Sequence, residues 1–273
     1  MLILKTVKQL QEFVASAGDE IGFVPTMGAL HDGHMSLIKK CVSENAVSIV
    51  STFVNPTQFL PGEDLEKYPK KEESDIKICE LCGVSAMFIP DAKEMYFDDE
   101  PCIIAPKKYS SILEGKSRPG HFDGVLRVLV KLFNLTRAKR VYMGKKDAQQ
   151  LVIVQNMVKT LFLNLQVVPC EIVRESDGLA LSSRNAYLSE EDKCNALRLS
   201  RALINASNLI KGGELDTSEI KTGMLKTLEP LTVDYVAIVD RDFNQISKVE
   251  LGNTIILVAA NVGKTRLIDN IWV

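Results

Sequence analysis

Two of the three histidines in this chain fall in one short segment, PTMGALHDGH, which spans positions 25–34. His31 and His34 flank Asp32 and Gly33 in an H-x-G-H arrangement. The segment follows a strand-like apolar run and opens a helical pattern, and helix N-termini attract anions. Two imidazoles at that place can donate hydrogen bonds to phosphate oxygens. The pattern favours nucleotide binding over the alternative of two surface histidines in a polar loop.

A second polar segment, NPTQF at positions 55–59, follows the next strand-like run. Asn55 and Gln58 carry neutral amides, which suit recognition of hydroxyl and carboxylate groups. The alternative is a turn whose amides only satisfy its own backbone. Taken alone, the segment slightly favours the second interpretation.

The segment GKKDAQQL, at positions 144–151, again stands where a strand gives way to a helix. Lys146 is a candidate phosphate partner, and Asp147 fits a helix N-cap or a contact to a ribose hydroxyl. Gln150 lies about one helical turn further on and is expected to face the same crevice.

Two further segments are weaker signals. LSSRN, at positions 181–185, sets the hydroxyls of Ser182 and Ser183 beside Arg184, a combination that suits a polyphosphate. EGKSRPGHF, at positions 114–122, reads as a basic loop in which Arg118 contacts phosphates, another subunit or only solvent. The string VGKT near the end is no Walker loop, because position 258 is Val258 where that motif needs a glycine.

The elements that must position these residues alternate along the first part of the chain. Apolar strand-like runs and helical periodicities predict a parallel sheet with helices on both faces, a doubly wound, Rossmann-like α/β domain. Strands are predicted at 21–25, 47–53, 84–90, 140–143 and 165–170, and helices at 34–45, 71–82, 125–134 and 147–161.

The pattern changes after about Glu171. A helix capped by Ser189, a second helix and two β-rich segments predict a smaller α+β domain. We therefore divide the chain into residues 1–171 and residues 172–273.

Composition narrows the class of protein. The chain has 273 residues, of which 46% are hydrophobic, as in an ordinary globular protein. Its formal net charge of −2 argues against nucleic-acid binding through bulk charge. No stretch approaches the length of a membrane span, and the N-terminus lacks a signal-peptide pattern, so a cytoplasmic location is the default. Cys79 and Cys82 form the only C-x-x-C pair, and a zinc site would need a second pair or histidines at ligand spacing. All six cysteines are therefore expected to be reduced structural thiols.

Taken in order, the strings PTMGALHDGH, FVNPTQF, LEGKSRPGHF, GKKDAQQL, DGLALSSRNAYL and RLIDN resemble the pantothenate synthetase (pantoate–β-alanine ligase) family. They run from Pro25 to Asn270. The resemblance implies condensation of (R)-pantoate with β-alanine, driven by ATP with Mg²⁺ through a pantoyl-adenylate. It also implies a homodimer whose C-terminal domain acts as a lid.

The resemblance implies roles for individual residues as well. It makes His34, His31, Lys146 and Arg184 catalytic, and assigns Gln58, Gln150 and Asn55 to pantoate and β-alanine. The implied ATP-binding set is Met27, Gly28, Ala29, Leu30, His31, Asp32, Gly33, His34, Gly144, Lys145, Lys146, Asp147, Val173, Leu181, Ser182, Ser183 and Arg184. The magnesium ligands remain unassigned.

Four positions depart from the family pattern. Lys145 stands where the family usually has glutamate, and Ala148 where it usually has an aromatic residue. Asp123 replaces a usual arginine, and Arg127 a usual threonine. Two rival functions share the H-x-G-H motif, a nucleotidyltransferase and a tRNA-charging enzyme, and the second is disfavoured by the mild acidity and the short C-terminal domain.

Overall fold

The chain crosses three times between two compact units. A computed structural model describes residues 1–18 and 20–273. The N-terminal unit contains Met1–Lys145 and Gln149–Glu171, and the C-terminal unit contains Lys146–Ala148 and Ile172–Val273. Each unit has its own sheet.

The sheet of the N-terminal unit has six strands, and every neighbouring pair is parallel. The strand order is β1-β4-β3-β2-β5-β6. From β2 the chain moves outward to β3 and β4 and then returns to β5 on the other side of β2, which is the doubly wound topology predicted from the sequence. The strands are β1 (Leu2–Leu4), β2 (Ile21–Thr26), β3 (Val47–Thr52), β4 (Ala86–Phe88), β5 (Arg140–Gly144) and β6 (Gln166–Cys170).

Helices flank this sheet, with α2 packed against β2 and β5 and α7 packed against β2. Phe23 and Val24 of β2 and Ile49 and Val50 of β3 are fully buried, as expected for strands covered on both faces. The helices are α1 (Val7–Ala17), α2 (Asp32–Glu44), α3 (Glu72–Leu81), α4 (Ala92–Met95), α5 (Lys107–Ser110), α6 (Leu113–Ser117), α7 (His121–Thr136) and α8 (Ala148–Thr160).

Two sequence expectations need correction here. Helix α7 begins four residues before the predicted start, so His121 lies in a helix and not in a loop. The strand predicted at 84–90 is reduced to Ala86–Phe88, because only these three residues pair with β1 and β3.

The C-terminal unit is the predicted α+β arrangement. Its antiparallel sheet has the order β7-β8-β9, formed by β7 (Thr232–Asp240), β8 (Thr254–Val262) and β9 (Thr265–Trp272). Helices α9 (Glu190–Lys211) and α10 (Thr217–Leu228) pack together, and Ser189 caps α9 by accepting the Asp192 N–H, as predicted. The VGKT string forms the β8–β9 hairpin turn, which agrees with its rejection as a phosphate loop.

No helix in the described part of the chain is both long and apolar enough to cross a membrane.

Candidate active site

Three of the predicted polar segments follow neighbouring strands of the parallel sheet. Strand β2 lies between β3 and β5, and the winding direction reverses between β2 and β5. Residues 27–34 follow β2, residues 55–58 follow β3, and Gly144 ends β5. Because parallel strands end at the same edge, these segments meet at the crevice where doubly wound sheets bind ligands.

The turn after β2 has an unusual backbone. Gly28 has a φ of 87° and Ala29 a φ of 51°, so two successive residues are in the left-handed region. That conformation costs an alanine about 1–2 kcal/mol. The surrounding structure must therefore hold the turn, which leads directly into the H-x-G-H segment.

His31 and His34 begin helix α2. His31 is the N-cap, and its Nδ1 accepts the Gly33 N–H at 3.1 Å. A neutral His31 ring therefore carries its proton on Nε2. The His34 ring lies in the first turn, with its centroid 4.1 Å from that of His31. The structure thus brings the two predicted imidazoles together at a helix N-terminus.

Asn55 and Gln58 belong to the short 3₁₀ turn after β3. Asn55 Nδ2 donates to Gln58 Oε1 at 2.9 Å and to the Gly124 carbonyl at 3.1 Å. Asn55 Oδ1 accepts the Tyr96 hydroxyl at 2.6 Å. Because Asn55 is only 1% exposed, its amide supports the turn and orients the amide of Gln58. Gln58 Nε2 lies 3.0 Å from Met27 Sδ in the neighbouring segment.

The backbone of Gln58 is held by the third histidine, His121, for which the sequence predicts no role. Arg118 donates to His121 Nε2 at 3.0 Å, and His121 Nδ1 lies 2.7 Å from the Gln58 carbonyl oxygen. A guanidinium can only donate, so the imidazole proton is on Nδ1 and is donated to that oxygen. Burial, together with the charge of Arg118, lowers the pKa of His121 to about 4.

The Arg118 side chain is mostly buried, and its guanidinium is paired within the protein. Its Nε and Nη2 donate to the two carboxylate oxygens of Glu63, at 2.6 and 2.7 Å. Although burial opposes it, this pairing with Arg118 lowers the pKa of Glu63. The basic loop predicted at 114–122 is therefore an ordered structural segment.

The segment after β5 divides between the units. Gly144, Lys145 and Gln150 belong to the N-terminal unit, where Lys145 is paired with Glu171. Lys146 and Asp147 belong to the C-terminal unit, and Asn270 of β9 donates to the Lys146 carbonyl at 2.8 Å.

The predicted ATP-binding residues Val173 and 181–184 also lie in the C-terminal unit. The Leu181 N–H donates to the Val173 carbonyl at 3.1 Å, which closes a hairpin-like loop. Ser182 then caps the 3₁₀ turn Ser183–Tyr187, which contains Arg184. Local backbone hydrogen bonds thus bring these predicted residues close to one another.

The cysteines are present as thiols. All six are free, and burial raises the pKa of the Cys41 and Cys79 thiols to about 12. Within residues 1–18 and 20–273, no three His, Cys, Asp or Glu side chains are arranged to hold a metal ion.

The profile of the protein family described as Pantoate-beta-alanine ligase matches residues 2–272. This chain belongs to the pantoate–β-alanine ligase family. It is 75% identical over 273 residues to the pantothenate synthetase of Campylobacter concisus (strain 13826), covering 100% of both chains.

Solved structures of family members agree with this membership. Pantothenate synthetase from Thermus thermophilus is 39% identical to this ligase, with a TM-score of 0.95 over 99% of each chain. The pantoate–β-alanine ligase from Francisella tularensis, complexed with Beta-gamma ATP and β-alanine, is 38% identical with a TM-score of 0.83. That match covers 100% of this ligase and 97% of the other chain.

The structure gives a partner to Lys145, Asp123 and Arg127 and buries Ala148. The extra charge of Lys145 is offset by Glu171, and Ala148 is a small buried residue. Asp123 accepts the Ala105 N–H at 2.7 Å, and Arg127 pairs with Glu100.

Glu100, four residues after Tyr96, fixes its segment to α7 through two ion pairs. Both Arg127 and Lys131 of α7 pair with its carboxylate, at 2.7 and 2.6 Å. These pairings outweigh burial and lower the pKa of Glu100 to about 2. The same two cations lie 5.0 and 4.9 Å from the centroid of the Tyr96 ring. Arg127 therefore contacts the ring of Tyr96, whose hydroxyl donates to Asn55.

Proposed function

We propose that this ligase condenses (R)-pantoate with β-alanine in two steps at the carboxyl edge of the N-terminal sheet. In the first step the pantoate carboxylate attacks the α-phosphorus of ATP, and pyrophosphate leaves. In the second step the amine of β-alanine attacks the activated carbonyl carbon and loses a proton, and AMP leaves. The products are pantothenate, AMP and pyrophosphate.

The observation that carries the proposal is the meeting of three polar segments at the switch point beside β2. The H-x-G-H helix start provides a site for anionic phosphates, and the neighbouring turn with Gln58 provides amides for a small polar acid. Two adjacent sites of this kind suit a nucleotide and a carboxylate that react with each other. The complex of the Francisella tularensis ligase with Beta-gamma ATP and β-alanine supports ATP and β-alanine as two of the three reactants.

His31 and His34 are proposed to stabilise the negative charge that grows on the phosphates during the first step. Donors fixed before the reaction stabilise such charge without having to reorganise. The bond from the Gly33 N–H to His31 Nδ1 directs the ring proton to Nε2, which makes that nitrogen the donor.

Gln58 and Gln150 are proposed to hold pantoate, with Gln58 also near β-alanine. Asn55 then acts through Gln58, because its own polar atoms are already engaged within the protein. Holding both reactants in line provides part of the rate acceleration.

The remaining ATP contacts are proposed to come from residues 144–147, Val173 and 181–184. Lys146 and Arg184 would contact the phosphates, and Asp147 the ribose. In this proposal residues 1–171 bind ATP and pantoate, and residues 172–273 act as a lid that excludes water from the adenylate.

Mg²⁺ is proposed to enter with ATP and to neutralise phosphate charge. Magnesium is usually held by substrate phosphates with one or two carboxylates and water. A homodimer and a cytoplasmic location remain part of the proposal.

The first experiment is ATP–pyrophosphate exchange with pantoate present and β-alanine absent. We expect exchange that depends on pantoate, because the adenylate forms reversibly before the amine is needed. A folded protein that shows no exchange in the presence of magnesium would contradict the two-step reaction or the identity of the acid.

A further inference from the structure

The turn between β2 and α2 is held by a residue that no sequence motif marked. Asp75 of α3 receives the Ala29 N–H on Oδ2 at 2.9 Å and the Leu30 N–H on Oδ1 at 2.8 Å. A single carboxylate thus binds two successive backbone amides, and one of them belongs to the alanine with a φ of 51°.

The carboxylate of Asp75 is buried, with only 2% of the residue exposed. Burial raises the pKa of Asp75, although both backbone bonds act in the opposite direction. A carboxylate in such surroundings needs strong donors to replace water, and the turn provides them. The interaction therefore matters to both partners.

Asp75 also limits what can stand at Gly28. A Cβ on Gly28 would lie 3.1 Å from Asp75 Oδ2, and its φ of 87° is unfavourable for other residues. The Gly28 N–H donates to Thr26 Oγ1 at 3.2 Å, and this hydroxyl donates to the Ser51 carbonyl at 2.7 Å. The three amides from Gly28 to Leu30 are consequently all used inside the protein.

This arrangement changes the expected source of phosphate donors. The turn does not offer these three N–H groups to a nucleotide, so donation falls to His31, His34 and the start of α2. The position of those donors depends on the path of the turn that precedes them.

We propose that Asp75 is a positioning residue for the nucleotide site, fixing the turn at Gly28–Leu30 with its left-handed residues and thereby placing His31 and His34. The inference rests on the proposed function of these histidines. Asp75 acts through the backbone of the turn and not through contact with a reactant.

The test compares Asp75→Asn with Glu73→Gln, an isosteric change at an exposed position of the same helix. An asparagine keeps the size of the side chain but turns one acceptor into a donor that faces an N–H group. We expect the KM for ATP to rise, or the exchange rate to fall, by about 10- to 100-fold in Asp75→Asn. By contrast, the KM for ATP and the exchange rate of Glu73→Gln should remain close to those of the wild type. The pantoate affinity of both variants, measured by calorimetry without ATP, should also be unchanged.

A second variant separates positioning from simple loss of packing. Glycine adopts the left-handed conformation without strain, so adding Ala29→Gly should recover part of the exchange lost in Asp75→Asn. A folded Asp75→Asn with wild-type exchange and wild-type KM would overturn the proposal, and so would a double variant that shows no recovery.

Amide NMR on the wild type provides a readout that does not depend on activity or on variants. The Ala29 and Leu30 amide protons should resonate downfield and exchange slowly with solvent, because they donate to a buried carboxylate. Rapid exchange at both would overturn the proposal. Absence of pyrophosphate exchange in the wild type would instead contradict only the proposed reaction.

Discussion

His31 and His121 are each held in one tautomer by their partners, and the two tautomers are opposite. His31 accepts on Nδ1 from a backbone N–H, whereas His121 accepts on Nε2 from Arg118. The His31 ring, when neutral, carries its proton on Nε2, because Nδ1 accepts the Gly33 N–H. The second ring donates its proton to the Gln58 carbonyl. One imidazole is thus suited to bind charge and the other to fix the backbone beside it.

At this scale we expect His34→Ala to lower kcat by about 10²–10³-fold, because a donor to the developing phosphate charge is lost. Pantoate affinity should stay close to that of the wild type. Steady-state kinetics and calorimetry check this result, with Ser43→Ala, an exposed change on the same helix, as the control. Near-normal turnover of His34→Ala would refute the role assigned to it.

We also expect His121 to remain neutral well below neutral pH, with a pKa of about 4. Because this value lies below the ordinary pKa of about 6.5, the folded state binds the proton less readily than the unfolded state. The contribution to stability is complete above about pH 6.5 and is lost as the pH falls towards 4.

Histidine NMR titration measures this directly, since the chain has only three histidines. The signal that disappears in His121→Asn should show an Nδ1-protonated ring that is still mostly neutral at about pH 5. A ring that titrates near its ordinary pKa would show that the Arg118 contact does not persist in solution.

At the scale of elements, the turn after β3 and helix α7 approach each other at Gly124. A Cβ at this position would lie 2.1 Å from the Thr57 carbonyl oxygen and 2.6 Å from the Gln58 nitrogen. Both are backbone atoms, so they cannot move aside as a flexible side chain can. The glycine is therefore required for α7 to support the turn that carries Asn55 and Gln58.

We expect Gly124→Ala to destabilise the fold by about 1–3 kcal/mol and to raise the KM for pantoate, because the turn must shift. Gly223→Ala is the matched control. Its Cβ would meet only the Leu209 Cδ1, at 3.3 Å, and alanine favours a helix. Chemical denaturation and kinetics measure the two effects. Equal behaviour of the two variants would contradict the importance of the close approach.

The strands, the helices and the histidine pair could be predicted from the sequence, whereas the buried polar partners could not. Apolar periodicity predicted the parallel sheet because buried strands and amphipathic helices leave a repeating pattern. Motif spacing also brought His31 and His34 to the start of α2. It could not reveal Asp75, because within EESDIK this carboxylate looks like its exposed neighbours. His121 was missed as a structural residue for the same reason, since the partners of a buried polar side chain come from distant segments.

At the scale of the whole molecule, each unit has a hydrophobic core of its own. The core of the C-terminal unit is formed by α9, α10 and the antiparallel sheet, with Leu203, Met224 and Val258 among its most buried residues. No periodicity could tell that Lys146–Ala148 would belong to this unit, because the assignment depends on tertiary contacts.

We expect Leu203→Ala to cost about 2–5 kcal/mol of stability, since its side chain is only 1% exposed. Hydrogen exchange should accelerate in α9 and β8, while β3 keeps its protection. Leu209→Ala, at a position that is 39% exposed on the same helix, is the control. Equal acceleration in β3 would show that the two cores unfold as one.

The path of the chain between the units has a consequence for recombination among relatives. The chain enters the C-terminal unit at Lys146, leaves after Ala148 and returns at Ile172, so three peptide links join the units. A chimaera spliced after Glu171 would take residues 146–148 from one parent. It would take the antiparallel sheet, including Asn270, from the other parent. The bond from Asn270 reaches a main-chain carbonyl, which every residue type has. Such a splice therefore preserves the contact whenever the incoming strand brings an asparagine, whereas truncation at Glu171 removes it in every parent.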